Sequence, residues 1–448
     1  MTTIPTVPPV ATLPADDLSA DTALFAQSKS WPKPMAVEAL HGLAGEIVRA
    51  IDPVTEADPA AVLVQLLVAV GSAAGRGAHF RVEGNRHGLN LFVAVVGDTS
   101  KARKGTSWGR VLDLTRSVDP EWAGAHIVQG LSSGEGLIWA VRDPITKTEA
   151  IRAPKTKEIT GYQDVIVDEG VSDKRLLVVE SELASTLRVM GRDGNTLSPV
   201  LREAWDSGDL RTLTKNSPAV ATGAHISVIG HITADELRRY LDRTEVANGL
   251  GNRFLWLCSR RSKTLPEGGG EIEQRADLIR RLHEALAFGW DAGELSRDDE
   301  TRAVWAAVYP QLSEGAPGLL GAMTARGEAQ VMRIAALYAV MDCSALIRVE
   351  HLYAALAVWD YVTESVAYIF GDSLGDPIAD EILNALRSRP EGMSRTDLRD
   401  FFGRHRSSEQ IGRALTSLDV LNLVRCERES TGGRPAERWF SVSTEGRA

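Results

Sequence analysis

The sequence predicts an α/β protein in which a mostly parallel sheet is followed by a helical region and a small C-terminal module. Three observations predict it. Short β-branched runs alternate with helical or loop segments between residues 89 and 258, as in a sheet covered on both faces. Residues 271–370 then carry apolar side chains at helical spacing almost throughout, and beyond Gly375-Asp376-Pro377 three helical patterns precede a Gly-rich turn at Thr431-Gly432-Gly433.

The bulk properties set the class. A chain of 448 residues is long enough for two or three domains. With 44% hydrophobic and 25% charged residues it has the balance of a folded, non-membrane protein. The longest apolar run, 60–70, is interrupted by Gln65 and is too short to span a bilayer. Residues 1–30 form a Pro-rich polar leader without the basic and then apolar pattern of a secretion signal. Cys258, Cys343 and Cys426 are widely spaced and show no metal-ligand or disulfide pattern. A cytoplasmic location with no membrane partner is expected. The net charge of −10 argues against a surface that tracks nucleic acid everywhere, while leaving room for a local basic face.

Taken in order, residues 31–88 read as a helical entry segment, with helices over 36–50 and 60–74 separated by Asp52-Pro53 and Asp58-Pro59. Residues 89–270 read as the α/β core. Its strands are expected at 89–96, 165–167, 175–180, 225–230 and 253–258, with helices such as 198–206 and 233–241 between them. The helical region, 271–371, carries apolar stripes over 326–340 and 349–370 that core packing explains. Arg333 on the first stripe reads as a salt-bridged arginine or a nucleotide sensor. Residues 376–445, three helices and a hairpin, read as a winged helix-turn-helix.

The chemistry centres on the end of the first core strand. There Gly97-Asp98-Thr99-Ser100-Lys101-Ala102-Arg103-Lys104-Gly105-Thr106-Ser107 leads into a helix. Strand, small-residue loop, lysine, hydroxyl and helix form the order that phosphate binding requires. Loop amides and the helix N-terminus aim donors at phosphate oxygens, lysine neutralises them, and a hydroxyl holds Mg2+. The spacing differs from the usual P-loop: Arg103 stands six positions after Gly97, where lysine is usual, and Lys104 follows it. Lys104 is the expected phosphate lysine, Thr106 or Ser107 the magnesium hydroxyl, and Lys101 or Arg103 an accessory contact. The alternative is a basic turn opening a helix, a place where the helix dipole favours acids. ATP with Mg2+ is the expected cofactor pair.

Leu176-Leu177-Val178-Val179-Glu180-Ser181-Glu182 is an apolar strand ending in acids, which would place Glu180 on the metal and Glu182 on the attacking water. Val165-Ile166-Val167-Asp168-Glu169 competes with it but reads better as a hairpin arm. His231 ends another apolar strand and reads either as a γ-phosphate or water sensor or as a helix cap. Arg253, after Gly249-Leu250-Gly251-Asn252, reads as an arginine finger or as a partner of surface acids. In the last module Arg404, Arg406, Arg413 and Arg434 are candidate DNA-phosphate contacts. The interleaved acids Glu409, Asp419, Glu427, Glu429 and Glu437 leave a protein-docking role open.

Several of these pieces occur together: Thr55-Glu56-Ala57-Asp58-Pro59, Asn90-Leu91 onward to Ser107, the strand 175–182, Arg202-Glu203-Ala204-Trp205-Asp206, Gly230-His231-Ile232-Thr233, and Asn252-Arg253-Phe254-Leu255. Over residues 31–371 the combination resembles the YfjI-like family of bacterial and phage P-loop proteins. That resemblance implies a RecA-like P-loop NTPase core, of the sort carried on mobile elements and sometimes joined to primase-like domains. Family members commonly have lysine followed at once by Ser or Thr, whereas here Lys104 precedes Gly105. The expected function is a DNA-dependent ATPase, a homo-oligomeric helicase, loader or replication-initiation factor working with other replication proteins. The alternative is a nucleotide-binding transcriptional regulator, or a regulatory ATPase that docks partners through its winged helix.

Overall fold

The computed structural model describes residues 31–442 apart from positions 99, 153, 155–157, 214–218, 242–244, 246–247, 316–317, 372–376, 422 and 430–435. The chain divides into two compact units, Pro32–Ile369 and a C-terminal one beginning at Phe370.

The larger unit is an α/β fold on a five-stranded, all-parallel sheet. Helix α1 (Gly42–Ile51) leads through a short turn to α2 (Pro59–Ala74). The α2 sequence dictates its start: Pro59 fits the first helical turn, and Asp58 accepts from the Ala60 amide at 3.0 Å. Apart from Pro59, the helix is buried all round, so it forms an interior helix rather than an amphipathic one. Gly71 permits this, because a Cβ there would lie 2.4 Å from the Leu89 carbonyl oxygen.

The strands are β1 (Phe92–Val96), β2 (Ile127–Val128), β3 (Arg175–Glu180), β4 (His225–Ile232) and β5 (Phe254–Cys258), in the spatial order β5-β1-β4-β3-β2. Every residue of β1, β4 and β5 is buried, as expected for strands between two helical layers. Helix α3 (Lys104–Val118) follows β1, α4 (Leu183–Met190) and α5 (Leu197–Asp206) follow β3, and α6 (Ala234–Tyr240) follows β4. Adjacent residues on a strand face opposite ways. A Cβ on Gly230 would strike Leu183 of α4, whereas His231 meets Gln65 of α2, so helices cover both faces.

The remaining helices include α7 (Arg275–Asp291), α8 (Gly327–Met341) and α9 (Val349–Phe370). Residues 165–167 are not in the main sheet. They belong to Ile159–Asp168, which pairs antiparallel with Ile145–Arg152 in a separate hairpin. Among the described residues no helix is long and apolar enough to cross a membrane.

The C-terminal unit contains α10 (Pro377–Arg387), β6 (Met393–Ser394), α11 (Arg395–Phe401), α12 (Ser408–Val420), β7 (Val424–Glu429) and β8 (Ala436–Ser441). Its strands form an antiparallel sheet in the order β6-β8-β7. Ser394 with Asp397 and Ser407 with Gln410 make capping boxes that start α11 and α12. Leu386, Leu398, Ile411, Leu415, Leu418 and Trp439 lie in its own core.

Candidate functional site

The connection leaving β1 runs to the far edge strand β2, whereas the one leaving β4 passes over β1 to reach β5. Connections that diverge in this way open a crevice at the C-terminal end of the sheet, between β1 and β4. The loop after β1 lies at that end. The Gly97 amide donates to the Ile232 carbonyl at 3.1 Å, fastening the loop to β4. A Cβ on Gly97 would stand 2.6 Å from both Ala102 Cβ and the Ser259 carbonyl oxygen, so only glycine fits.

Ser100–Ala102 form a 3-10 turn, and Arg103 has left-handed backbone angles, φ 56 and ψ 27, immediately before α3. That conformation favours glycine and strains other residues. Arg103 is held there by an ion pair with Glu56 at 2.7 Å. Glu56 also pairs with Arg261 and accepts from the Leu265 amide at 2.8 Å. These bonds and charges, the Arg261 hydrogen bond foremost, hold its carboxyl down at about 2. Next to it, Asp58 accepts from the Arg260 amide at 3.1 Å. The segment 55–59 is thus tied to the chain leaving β5, and one of its acids grips the loop.

Lys104 is half-buried, and its Nζ donates to the Gly97 carbonyl at 2.7 Å. Burial lowers its pKa, opposed by the charges of Glu236 and Asp98. Gly105 and Thr106 are exposed in the first turn of α3, which carries no acidic residue. Ser107 is buried, and its hydroxyl donates to the Lys104 carbonyl at 2.7 Å. Of the two hydroxyls, Thr106 is therefore the one open to a metal ion. Lys101 is exposed, Ser100 is described only in its backbone, and Thr99 lies outside the described residues.

Beneath Ser107 runs a buried polar chain. Gln65 donates from Nε2 to Ser107 Oγ at 2.7 Å, and its Oε1 lies 3.0 Å from His231 Nε2. Burial, with the nearby Lys104 charge, lowers the His231 pKa to about 4, so the imidazole is neutral at pH 7. His231 does not cap the following helix. Thr233 does, in a capping box with Glu236.

The other expected residues lie apart from this chain. Glu180 is buried at the end of β3, and its Oε1 accepts from the Gly130 and Leu131 amides at 2.7 Å each. In register it stands beside Gly230, and Gly230 beside Ala94, three residues below Gly97. Glu182 is exposed at the N-cap of α4 and makes no side-chain cap bond.

Arg253 precedes β5 and so lies at the opposite, N-terminal edge of the sheet from the loop. It is buried, pairs with Asp206 at 2.5 Å, and donates to the Gly249 carbonyl at 2.5 Å. This places the guanidinium in the packing of the fold and away from the loop. Arg333 is fully buried and donates to neutral groups: the Asn90 carbonyl at 2.6 Å, the Asn90 side chain at 3.0 Å and the Trp205 carbonyl at 2.7 Å.

Of the arginines singled out in the C-terminal unit, Arg406 and Arg413 are exposed, Arg404 pairs with Asp400 at 2.8 Å, and Arg434 lies outside the described residues. Arg413 and Arg395 border an open groove of about 610 Å³ along α12, shared with Ser408, Gly412 and Thr416. Arg395 is itself paired with Glu437 at 2.7 Å.

Gln65, Glu56 and Asp206 escaped the sequence reading as site or core partners. The one visible signal was Gln65, a lone amide inside an apolar helix, where a buried polar group demands a hydrogen-bond partner. No protein-family model matches the chain, and no curated protein sequence matches it.

Proposed function

We propose that the chain is a P-loop nucleotide-binding protein of RecA-like type that hydrolyses ATP with Mg2+ and acts on DNA. In this reading it serves a mobile element as a helicase, loader or replication-initiation factor, and its C-terminal unit is a winged helix.

The observation that carries the reading is Lys104. It heads a helix that leaves the central strand at the diverging end of an all-parallel sheet, with Nζ resting on the carbonyl of Gly97. A lysine so placed can exchange a carbonyl for a phosphate oxygen, while the amides opening α3 supply further donors. In the C-terminal unit, α12 offers an exposed polar face with Arg413, and β7 and β8 form the wing beside it.

The test is ATP turnover with Mg2+ in the presence and absence of single- and double-stranded DNA. Lys104→Ala is expected to weaken binding and lose turnover, and turnover that survives this change removes the site assignment.

A second reading has its own support. The Glu180 carboxylate is engaged by two amides, the Ser107 hydroxyl is consumed, and Arg253 is held at the far edge. That arrangement suits a protein that binds nucleotide as a signal and uses its winged helix as a regulator. Tight ATP binding with no turnover, together with protection of one fixed DNA site, would select it.

A further inference from the structure

We propose that Gln65, from outside the loop, is the positioning residue that fixes His231 as a hydrogen-bond acceptor for the water attacking a bound nucleotide. The inference rests on the nucleotide-binding reading above.

Gln65 is fully buried in α2, where its carboxamide must find partners. Its Nε2 donates to the Ala61 carbonyl at 2.8 Å and to Ser107 Oγ at 2.7 Å. Both amide protons are thereby used, and Ser107 in turn donates to the Lys104 carbonyl at 2.7 Å. The chain has a fixed direction, so Oε1 of Gln65 can only accept. The group 3.0 Å away, His231 Nε2, must then carry the proton. A neutral imidazole protonated on Nε2 keeps a lone pair on Nδ1.

That lone pair decides the partner. Phosphate oxygens are acceptors and are repelled by it, whereas a water molecule can donate to it. Burial and the Lys104 charge keep the ring from gaining a second proton at neutral pH. In the step this serves, the water oxygen bonds to the γ-phosphorus as the bond from that phosphorus to the bridging oxygen breaks. ADP leaves with the bonding electron pair. The water proton, directed toward Nδ1 during attack, ends on the released phosphate. Gln65 thus ties the end of β4, the opening turn of α3 and the interior helix α2 into one unit around the site.

The experiment uses the full chain. Long-range proton–nitrogen NMR of the histidine rings, with His231→Gln to assign the signal, reads the tautomer of wild type before any nucleotide is added. ATP affinity and kcat are then compared for wild type, Gln65→Leu and Gln65→Glu. The expected result is an Nε2–H tautomer in wild type and kcat lowered roughly a hundredfold in Gln65→Leu, with ATP affinity changed by less than about threefold. Gln65→Glu, which keeps an acceptor for His231, is expected to recover part of the rate.

An Nδ1–H tautomer in wild type overturns the inference, as does undiminished turnover in Gln65→Leu. Failure of wild type to bind ATP sinks the nucleotide reading itself. Normal wild-type turnover with an indifferent Gln65 sinks only this inference.

Discussion

The guanidinium carbon of Arg333 lies 3.7 Å from the centre of the Trp205 ring. This stacked pair joins α8 to α5, and the Arg333 donors bind Asn90, just ahead of β1. Burial pushes the guanidinium down to about 9, still well above neutral pH, so it remains charged. Replacing it with methionine leaves the Asn90 and Trp205 carbonyls buried without their donor. A loss of roughly 1–3 kcal/mol is expected, the cost of leaving buried neutral acceptors unsatisfied, read as a lower urea midpoint. Arg333→Lys should restore little, because an ammonium cannot reproduce a planar fork stacked on a ring.

Glu56 controls how the loop responds to acid. Its folded carboxyl titrates at about 2 against an ordinary value of 4.5. A carboxyl with a depressed folded pKa contributes stability that is complete above its unfolded value and lost as pH falls toward the folded one. Between pH 4.5 and 2 the wild type should therefore lose part of its thermal stability as Arg103 and Arg261 lose their partner. Glu56→Gln should lower Tm at pH 7 and flatten this acid limb. Equal slopes for the two proteins over that window would remove Glu56 from the account.

These two sites mark the limits of sequence reading. The apolar runs of α2, β1, β3, β4 and β5 were legible because burial on all sides leaves an unbroken hydrophobic signal. The edge strand Ile127–Val128 was not, since two residues carry no period. The loop looked one residue too long, and the structure accommodates it with the 3-10 turn Ser100–Ala102 and the left-handed Arg103. What holds Arg103 was invisible because Glu56 lies well ahead of it in the sequence and is itself braced by Arg261, 205 residues beyond Glu56. The Arg253–Asp206 pair was hidden for the same reason, and with it the placement of Arg253 at the edge of the sheet opposite the loop.

Lys104 should separate binding from folding. Burial lowers its pKa, so its charged form is less favoured in the folded chain than in water. Stability from this group is lowest below its folded pKa and rises as pH climbs through it. Lys104→Met is therefore expected to leave the unfolding midpoint unchanged or slightly raised. ADP affinity, measured by calorimetry, should nevertheless fall by roughly 2 kcal/mol, the usual worth of a charged hydrogen bond. Unchanged affinity would mean that this lysine does not meet phosphate.

The exposed arginines of the C-terminal unit should contribute unequally to DNA binding. Arg404 is neutralised by Asp400 at 2.8 Å, whereas Arg413 lies exposed on the groove face of α12. Each phosphate contact releases condensed cations, so losing one lowers the dependence of log K on log salt by about one. Arg413→Ala is expected to reduce that slope by about one and to weaken binding across sequences. Arg404→Ala should change it less, because its charge must first leave a carboxylate. The check is a titration of the full chain with duplex DNA at several salt concentrations. A slope indifferent to Arg413, alongside intact folding, would turn α12 from a DNA-facing helix into a protein-docking one, for which the neighbouring Glu409 on the same groove supplies a ready counter-charge to a basic partner.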